Sequence, residues 1–155
     1  MTARELQDAL VADLRTLFAG RRYKTPGDQM SAVSVFAQNV PKRVSEDDED
    51  PFPFIVVRIV EGGIDSQTDP HKVSVYILVG VYDDNAENQG HRTVLEMIEL
   101  IQMHYEGTPL LDGKFVFTDP FHWALQDEDS YPYFYGGVEI TFNAPAPRRE
   151  WSDLV

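Results

Sequence analysis

The residue types that most often carry chemistry are thinly spread along this chain. Its four histidines, His71, His91, His104 and His122, form no HExxH and no pair at metal-ligand spacing. The surrounding pattern places His71 in a loop, His91 and His104 on a helix and His122 in a strand, where each is expected to be a surface or interface residue. Serines 31, 34, 45, 66, 74 and 130 lack a GxSxG setting, so no acyl-transfer elbow is read, although a triad assembled from distant positions stays open. Gly62-Gly63 and Gly136-Gly137 belong to no phosphate-binding loop, and the second pair sits inside a strand pattern, where a bulge or a close backbone approach is the ordinary reason for glycine. Asp127, Glu128 and Asp129 fall on a polar turn whose exposure gives their pKa values no reason to shift. The run Glu46-Asp47-Asp48-Glu49-Asp50 lacks the glycine turn and alternating ligands of a calcium loop and reads as a solvated loop. There is no cysteine, which removes thiolate zinc sites, cysteine nucleophiles and disulfides. The expectation is a protein that is not an enzyme and has no cofactor or metal.

Charge is the strongest compositional feature. Against 13 Lys and Arg stand 26 Asp and Glu, a formal net charge of -13. A phosphate-binding surface needs a basic stripe, so specific nucleic-acid binding is not expected. Acidity serves solubility, or it lets DNA pass close by without adhering. The opening Met1-Thr2-Ala3-Arg4-Glu5 has no signal-peptide pattern and no apolar run spans a bilayer, so no membrane association is expected and assembly in a reducing cytoplasm is.

One domain over residues 1–155 is expected, because 43% hydrophobic and 12% aromatic residues suffice for one core. Residues 2–19 read as an amphipathic helix on Leu6, Leu10, Leu14, Leu17 and Phe18, opened by a Thr2/Glu5 capping box and stopped by Gly20. Residues 21–51 form an excursion with a possible strand at Val33–Gln38. Phe54–Val60 and Lys72–Tyr82 read as a long-looped hairpin. A second helix runs from about Asn88 to Gly107, carrying Val94, Leu95, Ile98, Ile101 and Tyr105. Lys114–Leu125 and Tyr133–Phe142 read as a second hairpin, and residues 145–155 as an extended tail. The fold class is therefore α+β: an antiparallel sheet of four to five strands with two helices packed on one face, in the order α-(β)-β-β-α-β-β.

In Lys72–Tyr82 the residues Val73, Val75, Ile77, Val79 and Val81 share one face, which is assigned to the core. The opposite face collects Tyr76, Leu78, Tyr82, Tyr133 and Tyr135, with Arg58 from the first strand. Tyr and Arg are enriched in protein interfaces, which makes the six residues the candidate surface for self-association or a partner. The alternative is that the 21–51 excursion folds back over the tyrosines.

Three stretches carry a family resemblance: Phe52-Pro53-Phe54-Ile55-Val56-Val57-Arg58; Val79-Gly80-Val81-Tyr82-Asp83-Asp84-Asn85 leading through Gln89-Gly90-His91-Arg92 into a helix; and Tyr131-Pro132-Tyr133-Phe134-Tyr135-Gly136. Over roughly Val33 to Pro145 the chain resembles the tail-terminator, or tail-completion, minor tail proteins of bacteriophages and prophages. That resemblance implies a non-enzymatic virion subunit of two helices and an antiparallel sheet. It also implies a hexameric ring that caps the tail tube at its head-proximal end and joins it to head-tail connector proteins, with DNA passing through. It supplies no active-site residues. The acidic run at 46–50 departs from that pattern and suits another neck component, and a small-molecule-binding α+β domain is the remaining alternative.

Overall fold

The computed structural model describes residues 2–45 and 50–145, with the side chain of Thr2 excepted. The Thr2 half of the expected capping box, the acidic residues 46–49 and the tail beyond 145 lie outside the described residues.

Helix α1 (Thr2–Leu17) exists because its leucines repeat at helical spacing, and Leu6, Leu10, Leu14 and the following Phe18 are buried to 1% exposure or less. Helix α2 (His91–Gly107) buries Val94, Met97, Ile98, Ile101 and Tyr105. Both helices pack into one hydrophobic core with Val73, Val75, Ile77, Val79 and Val81, as the alternation predicts. The long strands are β4 (Phe54–Gly63), β5 (His71–Tyr82), β7 (Phe115–Leu125) and β8 (Tyr133–Ala144). Two short elements join them, β3 (Ser34–Ala37) and β6 (Leu110–Leu111), in the order β3-β4-β5-β8-β7-β6. A separate hairpin pairs β1 (Tyr23–Lys24) with β2 (Met30–Ser31).

The α+β class with two helices on one face stands, but the sheet differs from the expected one in three respects. It has six strands and curls, and it is mixed, because β3 runs parallel to β4 with Val35 opposite Ile55. Parallel neighbours require the chain to cross back before pairing. Residues 38–53 make that crossover, and nothing in the Val33–Gln38 pattern itself fixes a strand's direction. At two residues each, β1, β2 and β6 are too short to show a period and are set by their partners. The two hairpins expected from the sequence become β4-β5 and β7-β8, and β5 and β8 then pair along their whole lengths at the centre of the sheet. Among the described residues no helix is long and apolar enough to cross a membrane.

Glycine does distinct work at adjacent positions of β8. A Cβ on Gly136 would lie 2.5 Å from Val94 and 3.1 Å from Ile98, so glycine lets α2 sit against the strand. A Cβ on Gly137, on the opposite face, would collide with the ring of Tyr76. The ladder runs through both residues without a shift, so close approach and not a bulge accounts for the pair.

Candidate interface on the outer sheet face

Cross-strand register assembles the outer face in rows. Arg58, Tyr76, Glu139 and His122 form one row; Val56, Leu78, Gly137 and Ala124 form the next; Phe54, Gly80 and Tyr135 follow; Tyr82 and Tyr133 close that end. All six candidate residues thus share this face. Five are half-buried, and Arg58 is exposed.

The row geometry explains how the aromatics are held. The Phe54 ring lies over Gly80, where a Cβ would be 2.5 Å from the ring, and Tyr76 lies across Gly137 in the same way. Aromatic cover of strand glycines restores packing that the missing side chains leave out. At the other end of the face the crossover brings Phe52 back onto the sheet, with ring centroids 4.9 Å from Phe54, 4.8 Å from Tyr133 and 5.9 Å from Tyr135. Tyr82 adds a contact to Tyr133 at 5.7 Å. So Phe52, which follows the 21–51 excursion, covers part of the tyrosine face, while Tyr76, Leu78 and Tyr135 keep a shallow depression of about 280 Å³ between themselves and Ala124. A narrower groove of about 210 Å³ runs from Tyr133 and Tyr135 to Glu128, Asp129 and His91.

The electrostatics of the aromatic end are negative. Burial raises the Tyr82 hydroxyl above its ordinary pKa, followed by the charges of Asp84 and Asp28. Tyr135 is raised by burial, then by Tyr133 and the charge of Asp50. The nearby cation is Lys24, whose Nζ lies 3.3 Å from Asp83 and 3.8 Å from Asp84.

Arg58 is tied down more than its exposure suggests, since its Nε donates to the Gln38 carbonyl at 3.0 Å. Gln38 is the residue that the sequence reading missed. At φ 67°, in the left-handed region, it ends β3. Its N–H donates to Val57 O at 2.8 Å, while its side-chain amide accepts from Ile59 N at 3.0 Å and donates to Ile59 O at 3.3 Å. A side chain thereby continues the ladder past the end of β3. Gln7 of α1 locks it by donating both to Gln38 Oε1 and to Val57 O at 2.9 Å. A lone glutamine after a short strand carries no sequence signal for this role.

Of the residues weighed for catalysis, His91, Glu128, Asp129 and Ser130 line one groove at the aromatic end, and His71, His104 and His122 do not line it. His71 begins β5 rather than lying in its loop, His91 begins α2, His104 Nε2 lies 2.8 Å from Asp13 Oδ2 between the two helices, and His122 faces Glu139. Asp129 builds its turn, accepting from Tyr131 N at 3.1 Å and Asn88 Nδ2 at 3.2 Å. No cluster of three or more His, Asp or Glu side chains fit to hold a metal occurs among the described residues. The sequence matches no protein-family model, and no curated protein matches it significantly.

Proposed function

We propose that this chain is a structural subunit of a phage or prophage tail. In this reading it is a tail terminator that self-associates into a ring, caps the tail tube and presents the surface that meets the head-tail connector, in a virion assembled in the bacterial cytoplasm. The observation that carries the reading is the outer sheet face. Both helices pack on the other side, Tyr76, Leu78, Tyr82, Tyr133 and Tyr135 remain half-exposed, and Tyr76, Leu78 and Tyr135 border a shallow apolar depression. Monomers seldom present so aromatic a face to water alone. The net charge of -13 fits a ring lumen through which DNA slides, because fixed negative charge keeps phosphates off the wall.

Light scattering of the purified protein over a range of concentrations tests the ring. The expected mass is a plateau at six times the 17.6 kDa of one chain. A mass of one chain at every concentration, unchanged by added tail-tube protein, refutes it. Co-sedimentation with purified tail tubes, as opposed to portal-bearing heads, separates a terminator from another neck component.

A further inference from the structure

The aromatic end of the outer face carries a consequence for how subunits join. Tyr133 and Tyr135 border a groove whose far wall is Glu128 and Asp129, and Asp50 and Asp84 lie close enough to act on the neighbouring tyrosines. A surface of half-buried tyrosines ringed by carboxylates is complementary to arginine, which stacks on aromatic rings and pairs with carboxylates at once. The chain itself carries such a segment, Pro147-Arg148-Arg149-Glu150-Trp151, after the end of β8.

Covalent geometry decides whose segment can reach. β8 starts at the aromatic end, at Tyr133, and finishes at Ala144, opposite His71 at the other end of the sheet. At about 3.3 Å per residue, Tyr135 and Ala144 are roughly 30 Å apart along the strand. Arg149, five residues beyond Ala144, commands at most about 18 Å of chain, and must first reverse direction. A subunit's own arginines fall short of its own groove.

We propose that residues 147–151 of one subunit dock on the outer face of a second copy, with Arg148 and Arg149 against Tyr133, Tyr135, Glu128 and Asp84. The inference deepens the ring reading and rests on it for its biological meaning. Donor and acceptor lie at opposite ends of the sheet, so the contact can propagate head-to-tail into a ring or an open filament, whereas a wild-type mass fixed at two chains would mean reciprocal exchange in a two-fold dimer and would sink the ring.

The test uses full-length protein carrying Arg148→Glu and Arg149→Glu, whose groove is then vacant, and a fluorescently labelled peptide of residues 145–155. Saturable binding by anisotropy is expected. It should weaken at least tenfold in 0.5 M salt and at least tenfold when Glu128→Lys and Asp84→Lys are added. Both of these sites are exposed, so the fold should survive, and a circular dichroism spectrum verifies it. Absence of binding, or equal binding of a scrambled peptide, overturns the proposal. Mass measurement separates the two ideas. A wild-type ring that persists with Arg148→Glu and Arg149→Glu leaves the ring and sinks the tail contact. A wild-type mass that climbs without plateau and collapses in that variant keeps the tail contact and sinks the closed ring. Mixing the tail variant with the Glu128→Lys/Asp84→Lys protein should give a two-chain species, because only one working contact can form between them.

Discussion

Gly136 and Gly137 are adjacent, both buried and opposite in what they touch, so replacing each by alanine isolates the two faces of the sheet. Neither has a positive φ, and alanine fits both backbones. At Gly136 the new methyl meets Val94 at 2.5 Å, Ile98 at 3.1 Å and the Ala124 carbonyl at 3.3 Å. Carbon atoms rest at about 3.5–4.0 Å, so α2 must retreat by about 1 Å. Val94 and Ile98 cannot yield separately, because Met97, Ile101 and Tyr105 anchor the same helix in the core. Overpacking of this kind costs about 1–3 kcal/mol, of which about 0.5–1 is returned by the stiffer unfolded and strand backbone. The expected net loss for Gly136→Ala is about 0–2.5 kcal/mol, or up to about 10 °C in Tm for a chain of this size. At Gly137 the obstacle is the outer end of Tyr76, which is half-buried and can swing towards solvent. The backbone gain and the lost ring contact then nearly cancel, leaving Gly137→Ala within about 1 kcal/mol of wild type. Urea unfolding at one protein concentration, with m-values compared, gives both numbers. If Gly137→Ala costs as much as Gly136→Ala, the assignment of a rigid helix side and a yielding outer side is wrong.

Tyr105 offers a second test, since burial foremost, then the charge of Asp13, pushes its hydroxyl well above the ordinary value near 10. A phenol with a raised folded pKa contributes stability below its unfolded pKa and loses it as pH rises towards the folded one. Tyr105→Phe is therefore expected to unfold at higher pH than wild type in an alkaline titration followed by circular dichroism, with stability at neutral pH unchanged to within about 1 kcal/mol. Glu5 shows the opposite sign: its hydrogen bond from Lys114 Nζ, at 3.0 Å, holds the carboxyl below its usual range. The stability it contributes is present above the ordinary carboxylate pKa and lost as pH falls through the depressed one. An NMR titration should find the Glu5 carboxyl moving back towards its ordinary value in Lys114→Met, and no movement would refute the pairing. On the outer face, Leu78→Glu should leave the urea-unfolding free energy of the monomeric unit within about 1 kcal/mol of wild type while lowering the solution mass of any ring. An unchanged mass would take Leu78 out of the interface.

How much of this was legible in the sequence depended on whether a residue's partner was local. The core face of β5 could be read because β-branched residues alternate along it, and α2 because its apolar residues keep a helical period that Gly107 ends. The six outer-face residues follow from the same alternation. What Phe52 does could not be read, because its contact with Tyr133 depends on where the 38–53 crossover lands, and that is fixed by β3 choosing a parallel partner. Gly136-Gly137 signalled a bulge or a close approach, and only the structure decides for close approach and separates the helix at one glycine from the tyrosine at the next.

The sheet edges bear on which surface self-association can use, since an unpaired edge invites another strand. Beside β4 the edge past Val57 is already engaged by the Gln38 side chain at Ile59. On the far side β6 pairs only with Phe115 and Val116, so Thr118–Leu125 has no strand neighbour there among the described residues. That stretch is interrupted by a register shift between Thr118 and His122 and contains Pro120, which has no N–H to donate. Both edges are thus poor templates for strand addition at these positions. Growth by sheet continuation would also have no natural end, whereas side-chain contacts on a curved face can fix an angle between subunits and so close. The chemistry available for that contact is the tyrosine face with its carboxylate rim, which is why the aromatic end of β8, and not the edge at β7, is where subunit contacts are expected.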